Sequence, residues 1–100
     1  VGHNPNPDLN SFINELLPDF MAQLDEMIDS LGLAFANRNL EAIKSISHDI
    51  KGTAGMYGFR QISDSAAAIE AAAREESFSL VNSRLEQLYQ LHKEANSQVG

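Results

Sequence analysis

The sequence predicts an all-α fold: an antiparallel up-down four-helix bundle with a short additional N-terminal helix. Three observations predict it. Apolar residues recur every three or four positions along most of the chain. No segment alternates with period two, and no Asn-Gly or Asp-Gly hairpin signal occurs. The polar breaks between the periodic stretches leave connections of about two to four residues, the usual length between neighbouring helices of a bundle.

The elements follow in order. Residues 1–7 are polar, hold two prolines and show no periodicity, so they read as a linker or a cloning remnant. His3 lies there and reads as a mobile terminal residue. Residues 8–100 read as one domain. Leu9, Ile13 and Leu17 open an apolar stripe that Phe20, Met21, Leu24, Met27, Ile28, Leu31 and Phe35 continue. Pro18 interrupts it. Proline suits a first helical turn, and the residue before it avoids the helical region. The expectation is a short helix over 8–16 and a longer one over 18–37; a single kinked helix is the alternative.

Asn39 is placed to cap the next helix, with Glu41 in its first turn. Leu40, Ile43, Ile46, Ile50, Ala54 and Tyr57 form its apolar side, and Gly58 ends it as a left-handed cap. A further helix over 60–75 carries Ile62, Ala66, Ile69 and Ala73, with extra alanines that favour close packing. Ser77 or Ser79 caps the last, whose stripe is Val81, Leu85, Leu88 and Ala95. Phe78 is expected to pack under the preceding turn. His92 falls in the last stripe and reads as a packed structural residue.

Composition narrows the function. Seven Lys+Arg against fourteen Asp+Glu give a formal charge of -7. Phosphate backbones and anionic lipid repel such a chain, so neither nucleic acid nor direct membrane contact is expected. There is no cysteine, hence no disulfide, thiolate nucleophile or thiolate metal site. Neither the G-x-G-x-x-G nor the G-x-x-x-x-G-K-[ST] phosphate loop is present. The chain is expected to hold no cofactor and no metal of its own. The acidic residues Asp25, Glu26, Asp29, Glu70, Glu75 and Glu76 read as solvated helix faces.

The stretch from Ser47 to Phe59 departs from this plain pattern. On a helical wheel His48 falls about 150° from the centre of the apolar side, so it points at solvent. Lys44 and Lys51 lie one turn away on either side, and Gly52 and Gly55 follow on the same face. Each mid-helix glycine costs about 1 kcal/mol against alanine, and local costs of this kind are expected at functional sites. The two glycines are expected to clear an approach to the imidazole for a bulky partner. A neutral imidazole is a nucleophile. A serine-hydrolase triad is disfavoured, because no strained elbow or oxyanion loop surrounds Ser45 and Ser47. A metal site lacks ligands at helical spacing. Transient phosphorylation of His48 fits best, with lysine as a mobile point charge for the phosphoryl group.

The pattern His48-x-x-Lys51-Gly52-Thr53-Ala54-x-x-x-Gly58 resembles the signature of histidine-containing phosphotransfer (HPt) domains, and Gly55 to Phe59 looks like the phosphotransfer domain of chemotaxis kinases. The resemblance covers about residues 9 to 97. Tyr57 stands where the family commonly has an aliphatic residue. The resemblance implies a four-helix bundle that relays phosphoryl groups between receiver-domain aspartates in two-component signalling. It implies that the outward nitrogen of His48 carries the phosphoryl, that Lys51 stabilises it and that Gly52 admits the receiver. Lys44 as charge support comes from the wheel alone. Gly55, Phe12 and Leu16 are expected to border the partner. The implied protein is a carrier rather than an enzyme, with Mg²⁺ on the partner receiver. It is a monomer in the cytoplasm, either free or as a domain of a membrane-anchored hybrid sensor kinase. Two competing readings are the dimerisation and phosphoacceptor segment of a sensor histidine kinase, which shares the His48-Asp49-Ile50-Lys51 opening, and a helical interaction module without phosphoryl chemistry.

Overall fold

A computed structural model describes the backbone of residues 9–99 and the side chains of residues 17–97. The proposed linker over 1–7, His3, and the side chains of Phe12 and Leu16 lie outside the described residues. Four helices and no strand occur among the described residues: α1 (Leu9–Ala36), α2 (Leu40–Met56), α3 (Arg60–Arg74) and α4 (Phe78–Val99). Each connection is three residues long. α2 packs on α1 and α3, and α4 packs on α3 and α1, so four helices of one chain close the bundle. A kinase dimerisation segment would instead need a second copy to complete its bundle.

The core is the predicted stripe of each helix. Phe20, Leu24, Leu31, Ile43, Ile50, Ile69, Val81 and Leu88 are wholly buried. Burying each such side chain contributes about 1.5–3 kcal/mol relative to exposure. At one end Phe20 stacks on Tyr57, with ring centroids 4.3 Å apart, and also meets Phe59 at 5.2 Å. Tyr57 thus supplies an aromatic wall where an aliphatic residue is commoner. At the other end Phe78 packs near Phe35, and the Arg38 guanidinium lies over its ring at 4.8 Å.

One element differs from expectation. Residues 9–36 form a single helix with Pro18 inside it, rather than a short helix followed by a long one. Pro18 lacks an amide hydrogen and forgoes one backbone bond, a cost of about 3 kcal/mol in a helix interior. The pyrrolidine ring is exposed, while Phe20, Met21 and Leu24 beyond it are buried. Apolar burial on the far side of the proline outweighs the lost bond, because a break there would lift those side chains off the core.

The helix ends explain the short connections. The Asn39 side chain accepts from the Ala42 amide at 3.1 Å, and Ser77 accepts from the Leu80 amide at 3.2 Å. Three helices terminate alike. The Asn39, Phe59 and Ser77 amides donate back to the carbonyls of Ala34, Ala54 and Ala72, five residues earlier. The residue before each donor is left-handed: Arg38 at φ 53°, Gly58 at 83° and Glu76 at 56°. Only Gly58 occupies that conformation without a steric penalty.

Candidate functional site

α2 turns Ile43, Ser47, Ile50 and Ala54 inward. Ser47 is fully buried and donates its hydroxyl hydrogen to the Ile43 carbonyl at 2.6 Å, the common resting place of a serine within a helix. It is not a nucleophile. His48 emerges on the other side, its side chain 66% exposed.

Facing it from α3 is Glu70, a group the sequence reading placed among the solvated acids. Its side chain is only 9% exposed, and Oε2 lies 3.3 Å from Nδ1 of His48. The same oxygen accepts from the Arg74 guanidinium at 2.9 Å. An anion this enclosed persists because it is paired. The signal was present in the sequence: Glu70 comes four residues after Ala66 and three before Ala73, inside the apolar face of α3. Periodicity gives the position; it does not give the partner on α2.

A carboxylate beside Nδ1 favours the tautomer with its hydrogen on that atom. Nε2 is then left with an in-plane lone pair on an exposed ring. The surroundings differ on the two sides. Toward α1 the groove is bordered by the uncharged Gln23, Met27, Gly52, Thr53 and Met56. Toward α3 it is bordered by Glu41, Lys44, Asp49, Glu70 and Arg74. Asp49 lies on the rim of both.

The other expected site residues divide. A side chain added at Gly52 would meet nothing within 4 Å, so this glycine leaves open space beside the imidazole. Gly55 is otherwise placed. A Cβ there would come to 3.3 Å from the Ser63 hydroxyl of α3, which donates to the Lys51 carbonyl at 2.8 Å. Gly55 therefore accommodates the approach of α3. Lys51 is exposed one turn beyond His48. Lys44 borders the same groove, but its ammonium pairs with Glu41 at 2.8 Å. Its charge is thus partly spent, which weakens the support expected of it. Arg74, missed in the sequence, is the cation that the site ties down.

His92 packs between helices as expected, its side chain 17% exposed, within hydrogen-bond reach of Asp25 on α1 and Asn96 one turn on. Asp25 is therefore also engaged rather than merely solvated. Among the described residues no group of three or more His, Asp or Glu side chains is placed to hold a metal ion. No described helix is long and apolar enough to cross a membrane.

The described residues thus form a helical bundle that displays an exposed histidine backed by an enclosed carboxyl group. Residues 15–98 match the model of the Hpt domain family, and the chain belongs to that family, the histidine phosphotransfer module of phosphorelays. Hpt domains are phosphocarriers and not enzymes in themselves, and they interact with receiver domains. No curated protein and no solved structure matched the chain.

Proposed function

We propose that His48 is the phosphoacceptor, taking a phosphoryl group from the aspartate of one receiver domain and passing it to another. The observation that carries this reading is the exposed ring whose Nδ1 faces buried Glu70, which leaves Nε2 outward beside open Gly52. In uptake, the Nε2 lone pair forms the bond to phosphorus. The bond from phosphorus to the aspartyl oxygen breaks, and that oxygen keeps the electron pair as carboxylate. The ring gains positive charge while Nδ1 keeps its hydrogen, and the Glu70 carboxylate offsets that charge. Release is the same path reversed.

The bundle contributes a nucleophile held in place before the encounter. Lys51 offers a mobile cation to the phosphoryl oxygens, and Lys44 a weaker one. Mg²⁺ on the receiver supplies charge neutralisation during transfer. The partner rests on the α1–α2 side, around Gly52, with Phe12 and Leu16 at its border. The three-residue connections fit an antiparallel up-down course. The carrier acts as a monomer in the cytoplasm, free or as part of a membrane-anchored hybrid sensor kinase.

Incubation with phosphorylated receivers tests the reading. An acid-labile, base-stable label that disappears in His48→Gln is expected. A folded domain that takes no label from a panel of receivers, or a label that survives His48→Gln, would overturn it in favour of an interaction module or another acceptor.

A further inference from the structure

We propose that Met56 is the apolar anchor on which the receiver domain docks, a residue that sets how tightly the receiver is held and not how fast the phosphoryl group moves; the inference rests on His48 being the phosphoacceptor. Leu33, Met56 and Tyr89 are the large apolar side chains exposed among the described residues, and Met56 is the most exposed, at 78%. Single exposed apolar residues are ordinary on a protein surface. Met56 is set apart by its company, because it alone of the three borders a groove that holds His48.

Helix geometry places it there. Gly52 and Met56 follow His48 along α2, turned from it by about 40° and 80°, both toward α1. Met56 thus stands about 12 Å along the helix from His48, with the open space over Gly52 between them. On the opposite wall of the groove is Met27 of α1, half-buried and packed against the core. Two thioethers therefore border a space that no side chain of Gly52 fills. Methionine is flexible and polarizable, and suits a surface that has to fit more than one partner. A carrier that takes from one receiver and gives to another meets both at the same histidine.

Two grooves meet at His48, and the cost of covering them differs. The groove toward α3 holds the Lys44–Glu41 and Arg74–Glu70 pairs. A partner laid there would take those charges out of water. Of the residues bordering the groove toward α1, only His48 and Asp49 can carry charge. Water leaves that groove at little cost, and apolar contact within it is favourable. The occupant follows from the chemistry of the site. A receiver's phosphoryl-bearing aspartate has to reach Nε2, and a protein interface of standard size covers roughly 800 Å² of each partner, a patch about 30 Å across. Met56 falls inside a patch of that size around His48. Hpt domains interact with receiver domains. The receiver that fits here presents an apolar side chain beside its aspartate, aimed at the space over Gly52.

The test is the concentration dependence of transfer from a phosphorylated receiver that labels the parent, in the whole chain, for Met56→Gln, Met56→Leu and Leu33→Gln. In Met56→Gln the KM for the receiver should rise about five- to tenfold while the rate at saturating receiver stays at the parent value, the pattern of lost docking energy. Met56→Leu keeps an apolar side chain of similar volume and should keep most of the parent KM. Leu33→Gln, away from the groove, should leave KM unchanged. Labelling of His48 by phosphoramidate, a donor too small to need docking, should proceed alike in all three. An unchanged KM in Met56→Gln, a fall confined to the saturating rate, an equal rise of KM in Leu33→Gln, or slower phosphoramidate labelling in Met56→Gln overturns the proposal. Phosphoramidate also separates the two possible failures. A normal label on His48 with an unchanged KM removes the role of Met56 alone, whereas a label that survives His48→Gln removes the acceptor itself.

Discussion

Nδ1 of His48 lies 3.3 Å from Oε2 of Glu70, across the seam between α2 and α3. The same seam is tied again by the Ser63 hydroxyl on the Lys51 carbonyl, seven residues earlier on α3 and three later on α2. Two polar ties so spaced fix how far α3 is shifted along α2. They also fix the rotation of α2 about its own axis. The seam therefore holds Nδ1 toward α3 on a ring that is otherwise largely exposed.

Glu70→Gln tests the first tie. Glutamine keeps the shape but removes the charge that offsets the ring during transfer. A hydrogen bond to a charged group exceeds a neutral one by about 1 kcal/mol or somewhat more, so phosphoryl uptake should slow by about an order of magnitude. Circular dichroism should show an intact helical fold. Uptake at the parental rate would mean that the carboxylate is structural only.

The two glycines beside His48 should behave oppositely. Gly52→Ala enters open space and should gain about 1 kcal/mol in urea unfolding from helix propensity alone. The bulkier Gly52→Gln should remain as stable as the parent or more so, yet transfer poorly to a receiver. Gly55→Ala drives a methyl toward the Ser63 hydroxyl at 3.3 Å, so its propensity gain should be reduced or reversed. Adding Ser63→Ala should restore it. Equal stabilisation by alanine at both glycines would sink the distinction between an access glycine and a packing glycine.

Lys51→Ala removes an exposed cation and should alter stability by less than about 0.5 kcal/mol. Phosphotransfer should slow, or the phosphohistidine lifetime shorten, severalfold. Lys44→Ala should do less, because its ammonium already pairs with Glu41. The comparison is read from decay of the label after the donor receiver is removed. Matching decay in parent and Lys51→Ala, with matching uptake, would show that the lysine plays no part.

Much of the bundle was legible in the sequence because burial alone sets it. The stripes through Leu24, Ile43, Ile69 and Leu88 needed only a period of 3.6, and Asn39 and Gly58 carried their capping roles in their residue types. His48 was legible because a polar residue opposite a stripe must face solvent. The Glu70 contact was not, since it depends on the relative register of two helices 22 positions apart in the chain. The closeness of Gly55 to Ser63 was hidden for the same reason: a wheel shows which way a position faces, and not which neighbour arrives there. Pro18 misled because proline's local cost was weighed without the burial beyond it. Arg38 and Glu76 were missed as left-handed caps because neither residue type favours that conformation.

Glu76 gives that last point an energy. A residue with a Cβ in the left-handed region costs about 1–2 kcal/mol, and glycine gives back about 0.5–1 kcal/mol through its unfolded-state freedom. Glu76→Gly should therefore stabilise the domain by about 0.5–1 kcal/mol, raising Tm by about 3–6 °C for a chain of this size. Glu76 is exposed, so little packing is lost. A Tm that falls would show that the side chain makes a compensating interaction.

Tyr89 supplies a pH dependence whose sign is fixed. Its phenol oxygen rests against Gly32, where an added Cβ would come to 2.7 Å from it, so Gly32 leaves the space that this side chain occupies between α4 and α1. Burial of the phenol, and secondarily the negative charge of Asp29, raise its pKa above the usual 10.0. The folded state thus holds this proton to higher pH than the unfolded chain does. The contribution to stability is fully present below pH ~10 and is lost as pH climbs from there through the raised folded value. In Tyr89→Phe that alkaline loss should shrink, while stability near neutrality changes little, since the ring remains and the hydroxyl is partly in water. Chemical denaturation of both proteins from pH ~8 to ~11 reads the difference directly. Parallel curves would mean that the phenol is equally free to ionise whether α1 and α4 are packed or apart.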